Sequence, residues 1–90
     1  MKTLIESLEN TPVVVLSEQN LEELLNQGEV LKEVDTHMRD MIRLVDWQGT
    51  LLIQETTNKD EFVMRKMTSQ DQAEDFIQQR LDAYDRMWDG

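Results

Sequence analysis

His37 is the only histidine in the chain and lies in the segment VDTHMRD, residues 34–40. The apolar pattern of this region predicts a helix, and on a helix residues three and four apart are neighbours. Glu33, His37 and Asp40 would then form one strip on the helix surface. Imidazole and carboxylate groups are common ligands of divalent metal ions. The strip is therefore a candidate metal- or ligand-binding site.

Metal sites on helices usually take further ligands from a facing helix, and the last helix offers Glu74, Asp75 or Asp82. Two features of the strip argue against a metal. Glu33 and His37 are four residues apart, whereas helical di-iron sites place Glu and His three residues apart. His37 also precedes Met38, a predicted core residue, and so fits the edge of an apolar stripe. We therefore favour a structural histidine and expect no cofactor.

The residue types that usually carry catalysis are scarce. The chain has no cysteine, its serines fall at helix or helix-cap positions, and its isolated glycines form no phosphate-binding loop. The adjacent acids Glu22–Glu23 and Glu74–Asp75 would point in different directions on a helix. Such pairs are typical of solvated charges rather than acid–base dyads. We expect a protein without enzymatic activity.

The net charge of −10 at pH 7 is the strongest bulk feature, and it is unevenly distributed. Residues 17–35 contain six acidic residues and one lysine, and residues 69–90 contain six acidic residues and two arginines. This charge repels phosphate backbones and argues against nucleic-acid binding. It suits a basic protein partner, although the charge also serves solubility alone.

These observations favour a small acidic interaction module: an adaptor, an immunity-type inhibitor or a regulatory subunit. It would bind a basic protein or pair with itself as a homodimer. The predicted partner surface consists of Glu22 and Glu23 with Glu74 and Asp75, and Trp88 serves as its aromatic anchor. The alternative is a small metal- or ligand-binding domain that uses the Glu33, His37 and Asp40 strip.

Ninety residues correspond to a single small domain, residues 1–90. The first residues lack the apolar run of a signal peptide. No segment approaches the roughly 20 apolar residues of a membrane span. Together with the absence of cysteine, these features lead us to expect a soluble cytoplasmic protein.

The predicted elements begin with a short helix over residues 3–9 and a strand at Val13–Leu16, an apolar β-branched run. Ser17 or Asn20 caps a following helix, which ends at Gly28 in the left-handed conformation or continues through it. The recurrence of Leu31, Met38 and Val45 every seven residues predicts a further helix over about 30–45.

The remaining chain predicts a hairpin and a last helix. A two-residue turn at Asn58–Lys59 would pair Ile53 with Met64. Ser69 and Gln72 have the spacing of a capping box that starts the last helix. The predicted fold is α+β, with a three-stranded sheet, made of one strand near the N-terminus and the hairpin, and helices packed on one side.

Overall fold

The computed structural model describes residues 2–35, 40–57 and 59–89, which form a helix–strand–helix segment, four consecutive strands and a long helix. The elements are α1 (Lys2–Ser7), β1 (Val14–Leu16), α2 (Glu18–Gln27), β2 (Glu29–Asp35), β3 (Met41–Trp47), β4 (Thr50–Thr56), β5 (Phe62–Met67) and α3 (Gln70–Asp89). The α+β class is confirmed.

The strands form one antiparallel five-stranded sheet in the order β1-β5-β4-β3-β2. The prediction of a three-stranded sheet is wrong. The prediction that the helices pack on one side is also wrong, because the core has two separate clusters of buried residues. Cross-strand partners share a face of a sheet, and this rule assigns each cluster to a face.

One face of the sheet, the α2 side, packs against α1 and α2. Val45 and its partner Leu52 lie there with Leu24 of α2 and Ile5 of α1. The opposite face, the α3 side, carries Leu44 and its partner Ile53, which pack with Ile77 of α3. The sheet is therefore covered on both faces, and its central strands bury residues in both directions.

The prediction of a helix over residues 30–45 is wrong, because residues 30–35 belong to β2 and residues 41–45 belong to β3. The alternation along β3 sends Ile42 and Leu44 to the α3 side, whereas Val45 and Trp47 contribute to the α2 side. A strand buried on both faces has a nearly continuous apolar sequence, and its residues can coincide with a helical period. The β-branched residues and the long-range pairing with β4 favour a strand over a helix at these positions.

The hairpin of β4 and β5 is confirmed, but its predicted register is wrong by one residue. Met64 pairs with Gln54, and Ile53 pairs with Arg65. The connection is longer than the predicted two-residue turn: the Thr57 N–H donates to the Glu61 carbonyl at 2.9 Å, and Asp60 has a positive φ of 60°. Asn58 lies outside the described residues. The shift sends Met64 to the α2 side and Ile53 to the α3 side.

Both predicted serine caps are present. Ser17 Oγ accepts a hydrogen bond from the Asn20 N–H at 3.1 Å, and Ser69 Oγ accepts one from the Gln72 N–H at 3.1 Å. Gly28 does end α2, although its φ of −99° and ψ of 170° are extended rather than left-handed. A glycine is needed there because the chain passes close to β3 and to the last turn of α2.

We expect Gly28→Ala to lower the free energy of unfolding by about 1–3 kcal/mol. The added Cβ would lie 2.7 Å from Val45 Cγ1 and 2.9 Å from the Leu24 carbonyl oxygen. Urea denaturation measures the change. Asn26→Ala, an exposed position in the same helix, is the matched control and should change stability by less than about 0.5 kcal/mol. Equal stability of the two variants would contradict the close packing of α2 against β3.

The turn between β3 and β4 gives a second stability prediction. Gln48 and Gly49 both have positive φ, 51° and 90°, as a two-residue type I′ turn requires. We expect Gln48→Asn to raise the free energy of unfolding by about 0.5–1 kcal/mol and Gly49→Ala to lower it by about 1–2 kcal/mol. Thermal and urea unfolding measure both. Stabilisation by Gly49→Ala would exclude this turn conformation.

Candidate functional site

The predicted metal strip assumed that Glu33 and Asp40 lie on one helix, and neither residue lies on a helix. Glu33 lies on β2, Asp40 lies immediately before β3, and His37 is outside the described residues. Glu33 Oε2 accepts a hydrogen bond from Arg43 Nε at 2.8 Å. Within residues 2–35, 40–57 and 59–89, no group of three or more His, Cys, Asp or Glu side chains is arranged to hold a metal ion.

The predicted partner surface is divided between two sides of the sheet. Glu22 and Glu23 belong to α2, and Glu74 and Asp75 belong to α3. These helices pack on opposite faces, so the two acid pairs do not meet in one continuous surface. The predicted anchor, Trp88, lies outside the residues whose side chains the structure describes.

A different acidic surface forms where α2 leads into β2. It contains the exposed acids of the two elements together with Lys32, and we define this acidic edge as Glu18, Glu22, Glu29, Glu33, Asp35 and Lys32. Gly28 brings the end of α2 directly into β2, and the two elements contact each other. The acidic edge therefore combines a helix surface with the last strand of the sheet.

β2 is an exposed sheet edge. In the described part of the chain it pairs with β3 alone, and the strand order ends at β2. Val30 and Leu31 are 40% and 43% exposed, which is high for large aliphatic side chains. The register shifts between Val30 and Lys32, so Leu31 is a bulge residue without a partner on β3. A bulge twists an edge strand and is a common device that limits edge pairing.

On the α2 side, a polar network connects the acidic edge to the middle of the sheet. Arg43 binds Glu33 through Nε and the Gln54 Oε1 atom through Nη1, each at 2.8 Å. Gln54 Nε2 in turn donates to Thr56 Oγ1 at 3.1 Å. Gln54 is fully buried, and these bonds offset the free-energy cost of burying an amide.

On the α3 side, Glu55 is a nearly buried carboxylate that two arginines neutralise. Arg65 donates to Glu55 Oε1, and Arg80 Nε lies 3.4 Å from Glu55 Oε2. Both guanidinium groups also lie over the ring of Phe76, with Cζ 5.1 Å and 4.9 Å from its centroid. These are cation–π distances. Phe76 and Glu55 thus fix two long cationic side chains between the sheet and α3.

The two networks decide the electrostatic character of the surface. Arg65 and Arg80 bind the buried Glu55, and Arg43 binds the buried Gln54 together with the exposed Glu33. Glu18 and Glu22 of α2 are exposed at the surface. A basic protein approaching the acidic edge would therefore meet a field dominated by carboxylates.

Sequence reasoning missed the β2 edge because it interpreted residues 30–45 as a helix. The sequence does contain a signal for a strand: Val30 and Val34 are β-branched, and Gly28 and Gly49 bracket the two-strand segment. That signal competes with the seven-residue recurrence of apolar residues. The buried polar residues of β4 carry no comparable signal, because their burial depends on partners from other strands and from α3.

Comparisons with protein-family models, with curated proteins and with solved structures give no match to this chain. Across the described helices, none is long and apolar enough to cross a membrane.

The Glu55 cluster gives a stability prediction. Removal of a buried ion-pair partner costs about 3–5 kcal/mol, but the side chains of Arg65 and Arg80 are 23% and 41% exposed. We therefore expect Glu55→Ala to destabilise by about 1–3 kcal/mol, the cost of leaving a partly buried polar group unsatisfied. Chemical denaturation measures this loss in the free energy of unfolding. The control is Glu74→Ala, an exposed acid of α3, and a loss no larger than in this control would contradict the structural role of Glu55.

Proposed function

We propose that this protein is an interaction module that binds a basic protein partner through its acidic edge. The observation that carries the proposal is the separation of charge. Five acids of α2 and β2 are exposed, whereas Arg65 and Arg80 bind the buried Glu55 on the α3 side and Arg43 binds the buried Gln54 as well as Glu33. Electrostatic complementarity of this kind increases the association rate and selects partners of opposite charge.

The proposed function is binding rather than catalysis. The buried carboxylate of Glu55 binds two arginines, and the exposed carboxylate of Glu33 binds Arg43. Glu18 and Glu22 lie on the exposed surface of α2. Such groups suit reversible contact with lysine and arginine side chains. We place this function in the cytoplasm, since a chain without cysteine needs no oxidising compartment for its fold.

The charge pattern of β2 favours a different protein over a second copy as the partner. The bulge at Leu31 leaves Lys32–Asp35 as the regular stretch of β2 in which two antiparallel copies could pair about a two-fold axis. Centring the pair on Glu33 places that carboxylate opposite itself, and centring it on Val34 places Glu33 opposite Asp35. Like charges directly opposite each other destabilise a strand pair. Self-pairing at this edge is therefore disfavoured, whereas a basic strand would be attracted.

A charge-reversal pair tests the location of binding. Glu22→Lys with Glu29→Lys should weaken binding of the flexible peptide decalysine about tenfold, because exposed ion pairs contribute roughly 0.2–1 kcal/mol each and reversal adds repulsion. Fluorescence anisotropy at low and moderate salt measures the affinity. Glu74→Lys with Asp75→Lys changes the net charge equally, and both positions are exposed on α3, outside the acidic edge.

The control pair should retain most of the affinity. Equal losses in the two pairs would show that decalysine responds only to net charge, and this result would overturn the acidic edge as the binding surface. Circular dichroism of both variants establishes that the fold is unchanged.

A further inference from the structure

The backbone of β2 offers binding groups that differ in kind from the acidic side chains. An edge strand presents unpaired N–H and C=O groups along one side. β2 spans seven residues, Glu29–Asp35, which corresponds to about 23 Å of extended chain. Its first five residues are all exposed. This edge is long enough and open enough to pair with an added strand.

The other end of the sheet is a poor acceptor by comparison. β1 contains only three residues, Val14–Leu16. Val15 is 65% exposed, but such a short strand offers few backbone hydrogen bonds to a ligand. Of the two edges, only β2 combines length with a strongly charged neighbourhood.

The side chains of β2 define the chemistry of an added strand. Glu33 and Asp35 pair with Arg43 and Met41 and therefore point to the α2 side, as Val30 does through its pairing with Val45. An incoming strand would place cationic residues at alternate positions to face Glu33 and Asp35, and a small apolar residue beside Val30 and Leu31. This alternation is the ordinary side-chain period of a strand.

We infer that the β2 edge accepts an extended, basic segment of the partner as a sixth strand. Strand addition of this kind obtains affinity from main-chain hydrogen bonds and specificity from alternate side chains. The inference rests on the proposed function, because it assigns a binding mode to the same acidic edge. The charge pattern that disfavours a second copy of β2 is the pattern that favours lysine or arginine on the added strand.

The test uses the full chain and the capped peptide KTKVKTK, which alternates lysine with small or β-branched residues. A matched peptide carries methyl groups on the backbone nitrogens of its residues 2–6, so that it keeps its charge but cannot donate at those positions. We expect the methylated peptide to bind at least tenfold more weakly in calorimetry. Hydrogen exchange should show new amide protection at Glu29–Asp35 and unchanged exchange at Val14–Leu16.

The outcomes separate this inference from the proposed function. Equal binding of the two peptides, together with weaker binding to the Glu22→Lys and Glu29→Lys variant, would overturn strand addition and leave the acidic edge in place. No binding of either peptide or of decalysine would overturn both. Protection at Val14–Leu16 in place of β2 would reject the choice of edge. Concentration-dependent dimers in sedimentation, with β2 protected in the absence of peptide, would identify a second copy as the occupant and contradict the inference.

Discussion

Two adjacent polar residues in the central strand, β4, constrain the rest of the structure. Gln54 and Glu55 are both buried, and because successive strand residues point in opposite directions they enter the two layers separately. Each needs a partner from a neighbouring element. Arg43 of β3 satisfies Gln54 on the α2 side, and Arg65 and Arg80 satisfy Glu55 on the α3 side. Buried groups of this kind are costly when unpaired, so they tie β3, β5 and α3 to one arrangement around β4.

The same arginine contacts also affect which charges the surface presents. The chain contains 19 acidic residues and nine lysines and arginines. Arg65 and Arg80 bind the buried Glu55, and Arg43 binds the buried Gln54 and the exposed Glu33. The exposed charged residues of α2 and β2 are five acids and Lys32. The interior and the proposed binding surface are therefore coupled, because Arg43 links the buried Gln54 to Glu33 on the acidic edge.

The same architecture leaves an open edge beside that surface. The chain places β2 at the end of the sheet, where α2 covers one face of the neighbouring strand but β2 itself stays exposed. Open edges favour association with other strands, and proteins commonly protect them with charges and bulges. β2 has both: acids at Glu29, Glu33 and Asp35, and a bulge at Leu31. Under our proposal, these features restrict self-association and select a basic strand.

The sequence by itself determined the elements with strong local signals: the α+β class, the Ser69 cap of α3, the strand after Pro12 and the existence of the β4–β5 hairpin. It left the cap of α2 open between Ser17 and Asn20, and the structure has Ser17. Only the tertiary structure decided that residues 30–35 and 41–45 lie in strands and that Met64 pairs with Gln54. The reason is physical. β3 is buried on both faces and loses the two-residue polarity pattern, so its apolar residues fit a helical period equally well. β2 is an edge strand whose apolar residues Val30 and Leu31 are exposed, so its sequence does not show which face is buried. Register, and the partners of Gln54 and Glu55, depend on contacts between residues distant in sequence, which local patterns do not encode.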